Sequence, residues 1–216
     1  MKSTIDYNYK LEKIGAIVGI VSIIFYFSAA ILPFIPQVIS RLLGFTFPLL
    51  WIIAFMGLHS YLKRNAHTPS LEIAYLFGII GASLACTFIV VQQANFIWHD
   101  IAKETANSQE ALSLLKATFR GANRVQGGMD VAFDIFITIS WFLFGLNIIK
   151  HASFGKVIGL VTCLLSISLL TLNMITFPTP PAEAGLFDLG PFLGLWILVV
   201  YTRLALILFK KNNRTP

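Results

Sequence analysis

The chain has 216 residues, of which 56% are hydrophobic and 12% charged, with a mean hydropathy of +0.78 and a formal net charge of +6. Soluble domains average roughly 45 to 50% apolar and 25% charged residues, so this composition excludes an ordinary soluble globule and points to lipid. The positive charge does not call for nucleic acid, because cytoplasmic loops of membrane chains collect Lys and Arg.

A bilayer core about 30 Å thick takes roughly 20 apolar helical residues to cross. Six stretches qualify, near residues 14–34, 46–62, 71–98, 128–149, 156–177 and 190–209. Runs such as "IGAIVGIVSIIFYFSAAIL" are continuously apolar, whereas barrel strands alternate over about ten residues. The expected fold is therefore all-α: one polytopic transmembrane domain, residues 1–216, built as a six-helix bundle. "FSAAIL", with small Ser28, Ala29 and Ala30, has the look of a signal-peptidase site. The apolar run continues past it, so span one is expected to stay in the protein.

Taken in chain order, span one carries Gly15 and Gly19, and span three carries Ala74, Gly78, Ala82 and Cys86. Small residues at four-residue spacing let bilayer helices approach closely, so these mark helix contacts and allow a homo-oligomer on the same seams. Cys86 and Cys163 read as small buried hydrophobes. Trp51, Trp98 and Trp196 read as interfacial or packing aromatics.

The segment 99–127 is the one long loop. Within it "NSQEALSLLKATFR" offers Asn107 and Glu110 as a helix start, with Leu112, Leu115 and Phe119 on one face. A separate short amphipathic helix is expected there, as an interfacial spacer or a lid. After span five, "FPTPPAEAGLFDLGP" breaks the helix with Pro178, Pro180 and Pro181. Asp188 and Pro191 suit the start of span six. Arg203 in "YTRLALILFKK" is expected to snorkel to the headgroups.

Orientation follows from the basic residues. With the N-terminus inside, the inner segments hold Lys2, Lys10, Lys13, Lys63, Arg64, Lys150, Lys156, Lys210, Lys211 and Arg214, and the outer ones Arg41, Lys103, Lys116, Arg120 and Arg124. Ten against five places both termini in the cytoplasm.

Polar residues inside the spans carry the functional signal. An Asp at a helix centre costs about 2.5 to 3.5 kcal/mol on insertion scales, so it normally faces protein or water. Asp130, Asp134, Thr138, Trp141 and Gly145 fall on one stripe of span four, with Asp134 about 6 Å deeper than Asp130. Span three ends in "VQQANFIWHD", where Gln92, Asn95 and His99 share a face that continues through Ala85 and Gly78. Span five adds Gly159, Thr162, Ser166 and Asn173. Three helices thus aim polar groups at one level in the outer half.

The leading expectation is a cavity lined by Asp134, Asp130, His99, Gln92, Asn95 and Asn173 that binds or passes a small polar or cationic ligand or a proton. Asp134 is the charge partner, the amides orient the ligand, and His99 is a titratable gate. A second reading is a structural or accessory membrane subunit in which these groups only hold helices together. A third is a membrane-embedded enzyme using a metal on His99, Asp130 and Asp134, a mixed nitrogen and oxygen set. Ser140 has no base at helical spacing, and no P-loop, dinucleotide fingerprint or CxxC occurs, so no cofactor is expected.

The layout of span four from "MDVAFDIF" and the ending "FPTPPAEAGLFDLGPFLGLW" resemble small bacterial six-span membrane proteins catalogued only as domains of unknown function. The resemblance covers most of the chain. It implies the six-span fold and a multi-pass place in the inner membrane, and carries over no activity.

Overall fold

A computed structural model of the chain describes residues 2–32 and 34–212, with side chains for residues 7–30, 32 and 34–210. Of the basic residues used for orientation, Arg214 and the side chains of Lys2 and Lys211 lie outside the described residues. The described chain is helical: α1 (Lys2–Ile31), α2 (Gln37–Lys63), α3 (Pro69–Thr105), α4 (Gln109–Ile149), α5 (Lys156–Thr176) and α6 (Gly190–Asn212). Each of the six is long and apolar enough to cross a membrane.

Sequence decides where these helices start. Thr68 caps α3 by accepting from Leu71 N at 3.3 Å, with Pro69 in the first turn. Ser108 caps α4 by accepting from Ala111 N at 3.1 Å, one residue beyond the expected Asn107. Such caps satisfy one of the orphan N–H groups of a first turn.

The long loop expected between spans three and four is the main departure from expectation. Residues 109–127 form no separate short helix; they are the first half of the 41-residue α4, and only residues 106–108 link it to α3. Gly121, Gly127 and Gly128 do not interrupt it. α3 and α4 measure about 55 and 60 Å at 1.5 Å per residue, roughly twice the bilayer core. Their far halves pair as an antiparallel hairpin. Phe96 packs on Phe119 with ring centres 5.4 Å apart, and Asn95 Nδ2 donates to Asn123 Oδ1 at 2.7 Å.

The helices pack as a ring in the order α6, α1, α2, α3, α4, α5, and the α5–α6 contact that closes it is the slightest of the six. Its centre is aromatic: Phe55 stacks on Phe144 at 5.8 Å, and Trp141 meets Tyr201 edge-on at 5.9 Å. Ile17, Leu164, Ile175 and Leu206 point outward. Lipid makes that outer apolar surface ordinary.

Glycine sets the closest approaches. A Cβ on Gly57 would lie 2.6 Å from Gly15 Cα, and one on Gly145 would lie 2.6 Å from Cys163 Sγ. Gly15 of α1 and Gly78 of α3 thus serve as expected. Gly19 faces the Tyr201 ring of α6, and Gly78 meets Phe55 and Ser140.

The beginning of α1 and the end of α6 meet at one end of the bundle, where Tyr9 Oη donates to Leu208 O at 2.8 Å. The ion pairs among the described residues are here: Arg64 with the fully buried Glu12 at 2.6 Å, and Lys63 with Glu72, whose carboxylate His59 and His67 also approach. Arg203 Nη2 reaches back to Ser153 O at 2.8 Å, fastening α6 to the α4–α5 loop. In that loop His151 packs between Tyr61 and Phe154, and burial pushes its imidazole below the ordinary histidine range.

Candidate functional site

The opposite end of the ring is hollow. A cavity of about 360 Å³ opens there, within the range usual for small-ligand pockets. All six helices or their leading loops line it.

Its charged groups come from three directions. α4 contributes Asp130 and Asp134, the segment before α6 contributes Asp188, and the second turn of α2 contributes Arg41. The stripe read from the sequence holds: below the aspartates Thr138 and Trp141 are buried, as is Gly145, whereas Val131, Phe136 and Ile139 are only partly covered. Facing inward, α4 therefore delivers its carboxylates to the ring's interior.

Asp134 is the deeper of the pair. Asn173 of α5, itself 5% exposed, donates from Nδ2 to Asp134 Oδ2 at 2.8 Å. Thr138 Oγ1 donates to the Asp134 carbonyl at 2.6 Å. No described cation pairs with either aspartate, and Arg124, six residues before Asp130 in the chain, is exposed. Asp188 caps the start of α6 by accepting from Gly190 N at 2.8 Å, and it is exposed at the rim. Capping and lining are thus combined in one residue. The three carboxylates lie within electrostatic reach of one another. Three like charges around one largely apolar hollow require protons, a cation or a counter-charge to offset them.

Gln92 of α3 joins this lining, as does its neighbour Gln93. Asn95 and His99 do not. They lie farther along α3, where Asn95 bonds Asn123 and the Phe119 carbonyl, and His99 packs on the Phe119 ring at 4.3 Å. The physical reason is the continuity of α4: the segment expected as a loop is a helix, and it occupies the face that these two side chains present. Thr162 and Ser166 turn to packing as well, since Thr162 accepts from Trp196 Nε1 at 2.9 Å and Ser166 bonds the Thr162 carbonyl.

Several lining residues were not singled out by sequence. Arg41 stood only in the orientation count, and Trp51 only as a packing aromatic. Trp51 lines the cavity beside Phe47 and Phe133. The signal was present in α2, where Phe47, Trp51 and Phe55 recur every four residues on one helix face. Trp98, by contrast, is exposed, as an interfacial aromatic is expected to be.

Among the described residues, no group of three or more His, Cys, Asp and Glu side chains is placed to hold a metal ion. His59 and His67 converge on Glu72 at the far end of the bundle from His99. Comparison of the chain with protein-family models, curated proteins and solved structures gives no match.

Proposed function

We propose that this is a multi-pass inner-membrane protein, both termini cytoplasmic, whose outer-half cavity binds or passes a small polar or cationic species or a proton. One observation carries the reading. Asp134 is held by Asn173 against the inner wall of a hollow that Asp130 and Asp188 also line. A carboxylate set among apolar helices costs several kcal/mol unless something accompanies it, and bare intramembrane acids normally mark ion or substrate paths.

In this reading Asp134 is the charge partner of the bound species. Asn173 fixes its rotamer and one of its oxygens. Asp130 and Asp188 form a ladder from Asp134 to the rim, and Gln92 supplies both a donor and an acceptor. The kinship with small bacterial six-span proteins belongs to the same proposal and adds no activity of its own.

Reconstituted proteoliposomes test it. Under an imposed proton or cation gradient, or in equilibrium binding, wild-type protein gives a saturable signal. Asp134→Asn, which keeps the shape and the Asn173 contact, abolishes that signal while elution volume and thermal unfolding stay unchanged. A variant that retains the full signal refutes the role of Asp134. A variant that loses only stability favours the helix-holding reading instead.

A further inference from the structure

Aromatic rings line the cavity beside the aspartates. Trp51 and Phe133 stack with ring centres 6.2 Å apart, Phe47 meets Trp51 edge-on at 5.4 Å, and Phe88 lies 5.5 Å from Phe133; all four line the cavity. Ring faces attract organic ammonium ions by about 0.5 to 1 kcal/mol at exposed sites and about 2 or more when desolvated. A bare metal cation must replace its hydration with oxygen ligands, roughly six to eight around calcium, and ring faces supply none. Acid next to aromatic is the lining an alkylated cation wants.

A second observation concerns the other end of the occupant. Trp51 is 6% exposed, and its Nε1 has no hydrogen-bond partner among the described residues. Arg41 Nε, nearer the mouth, is likewise without one. A buried donor left unsatisfied costs about 1 to 3 kcal/mol. Neither donor has an acceptor among the described residues; both atoms are closed off from open space as they stand, so an occupant that brings an oxygen recovers that energy once the side chain turns toward it.

We propose that the cavity takes a small organic ammonium ion that also carries an oxygen acceptor. Its cationic centre sits between the Asp130–Asp134 pair and the rings of Trp51 and Phe133. Its oxygen accepts from Trp51 Nε1. The assignment rests on the binding reading above and supplies the chemical class of the ligand. A 360 Å³ hollow suits a molecule of amino-alcohol size.

The test is calorimetric titration of purified protein in lipid nanodiscs with choline, tetramethylammonium, glycine betaine, sodium and potassium chlorides. Choline is expected to bind at one saturable site, with tetramethylammonium, which lacks the oxygen, roughly tenfold weaker. Glycine betaine, whose carboxylate meets three aspartates, falls below choline. Asp134→Asn removes choline binding. Trp51→Phe keeps a ring but loses the N–H; it lowers choline to the tetramethylammonium level and leaves the latter where it was, a pattern that misfolding cannot imitate.

Asp134-dependent uptake of sodium, potassium or protons with choline ignored overturns the organic-cation assignment and leaves the cavity reading standing. Equal wild-type affinity for choline and tetramethylammonium overturns the acceptor contact. If no cation or proton shows any dependence on Asp134, both readings fall.

Discussion

Asp134 and Tyr201 are buried polar residues with opposite provisions. Asp134 has an amide donor and an open hollow beside it. Tyr201 is fully buried against Trp141, and its hydroxyl has no partner among the described residues. An orphan hydroxyl stabilises nothing, because its desolvation is not repaid. Tyr201→Phe is therefore expected to leave stability unchanged or raise it by about 1 to 2 kcal/mol, read by chemical unfolding in detergent. A clear loss would mean that the hydroxyl is hydrogen-bonded in the protein. Residue-level reading of the sequence found Asp130, Asp134 and Asn173 because cost singles them out: an acid or amide in an apolar run must be accounted for. It overlooked Trp51 because an aromatic in such a run has no cost to explain, and only its neighbours reveal whether it packs or lines a cavity.

At the level of helices, sequence resolved the six spans and much of their contact pattern. The small-residue ladder of α3 is buried at Ala74, Gly78 and Ala82, as spacing predicted. Partners were not legible. That Gly15 meets Gly57, or Gly145 meets Gly159, depends on which helices are adjacent, and periodicity within one helix is silent on that. The start of α4 was misread for a related reason. The segment 109–127 is too polar to read as a span, yet polar residues form a helix readily when a neighbour covers one face, and α3 does so through Phe96, Asn95 and His99. Two glycine substitutions separate packing from propensity. Gly57→Ala drives a methyl into the Gly15 backbone and is expected to cost about 1 to 3 kcal/mol. Gly121→Ala meets nothing within 4 Å and is expected to gain up to about 1 kcal/mol. Parallel unfolding curves of the two variants check both. Equal effects would show that α1 and α2 are not so closely apposed.

On the scale of the whole molecule, two ends of one ring do different things. The end where α1 begins and α6 ends is fastened by Arg64 on Glu12, by the cluster on Glu72 and by Arg203 on the α4–α5 loop. The other end is left open, lined by carboxylates from α4 and the approach to α6 and by aromatics from α2, α3 and α4. Of the polar groups that sequence placed at one level, Gln92, Asp130 and Asp134 line the hollow and Asn173 bonds Asp134, whereas Asn95 and His99 do not join them; that α1, α2 and α6 take part depends on ring order, which sequence does not give. The central claim is that Asp134 borders water rather than lipid or packed side chains. It is tested most directly by thiol labelling of Asp134→Cys in a background with Cys86→Ala and Cys163→Ala, using a charged, membrane-impermeant reagent, with Leu164→Cys on the exposed apolar face of α5 as control. The account predicts that the cysteine at 134 is modified from the side opposite the Tyr9–Leu208 contact while the one at 164 stays inert. Equal inertness at both positions, in folded protein, would contradict it.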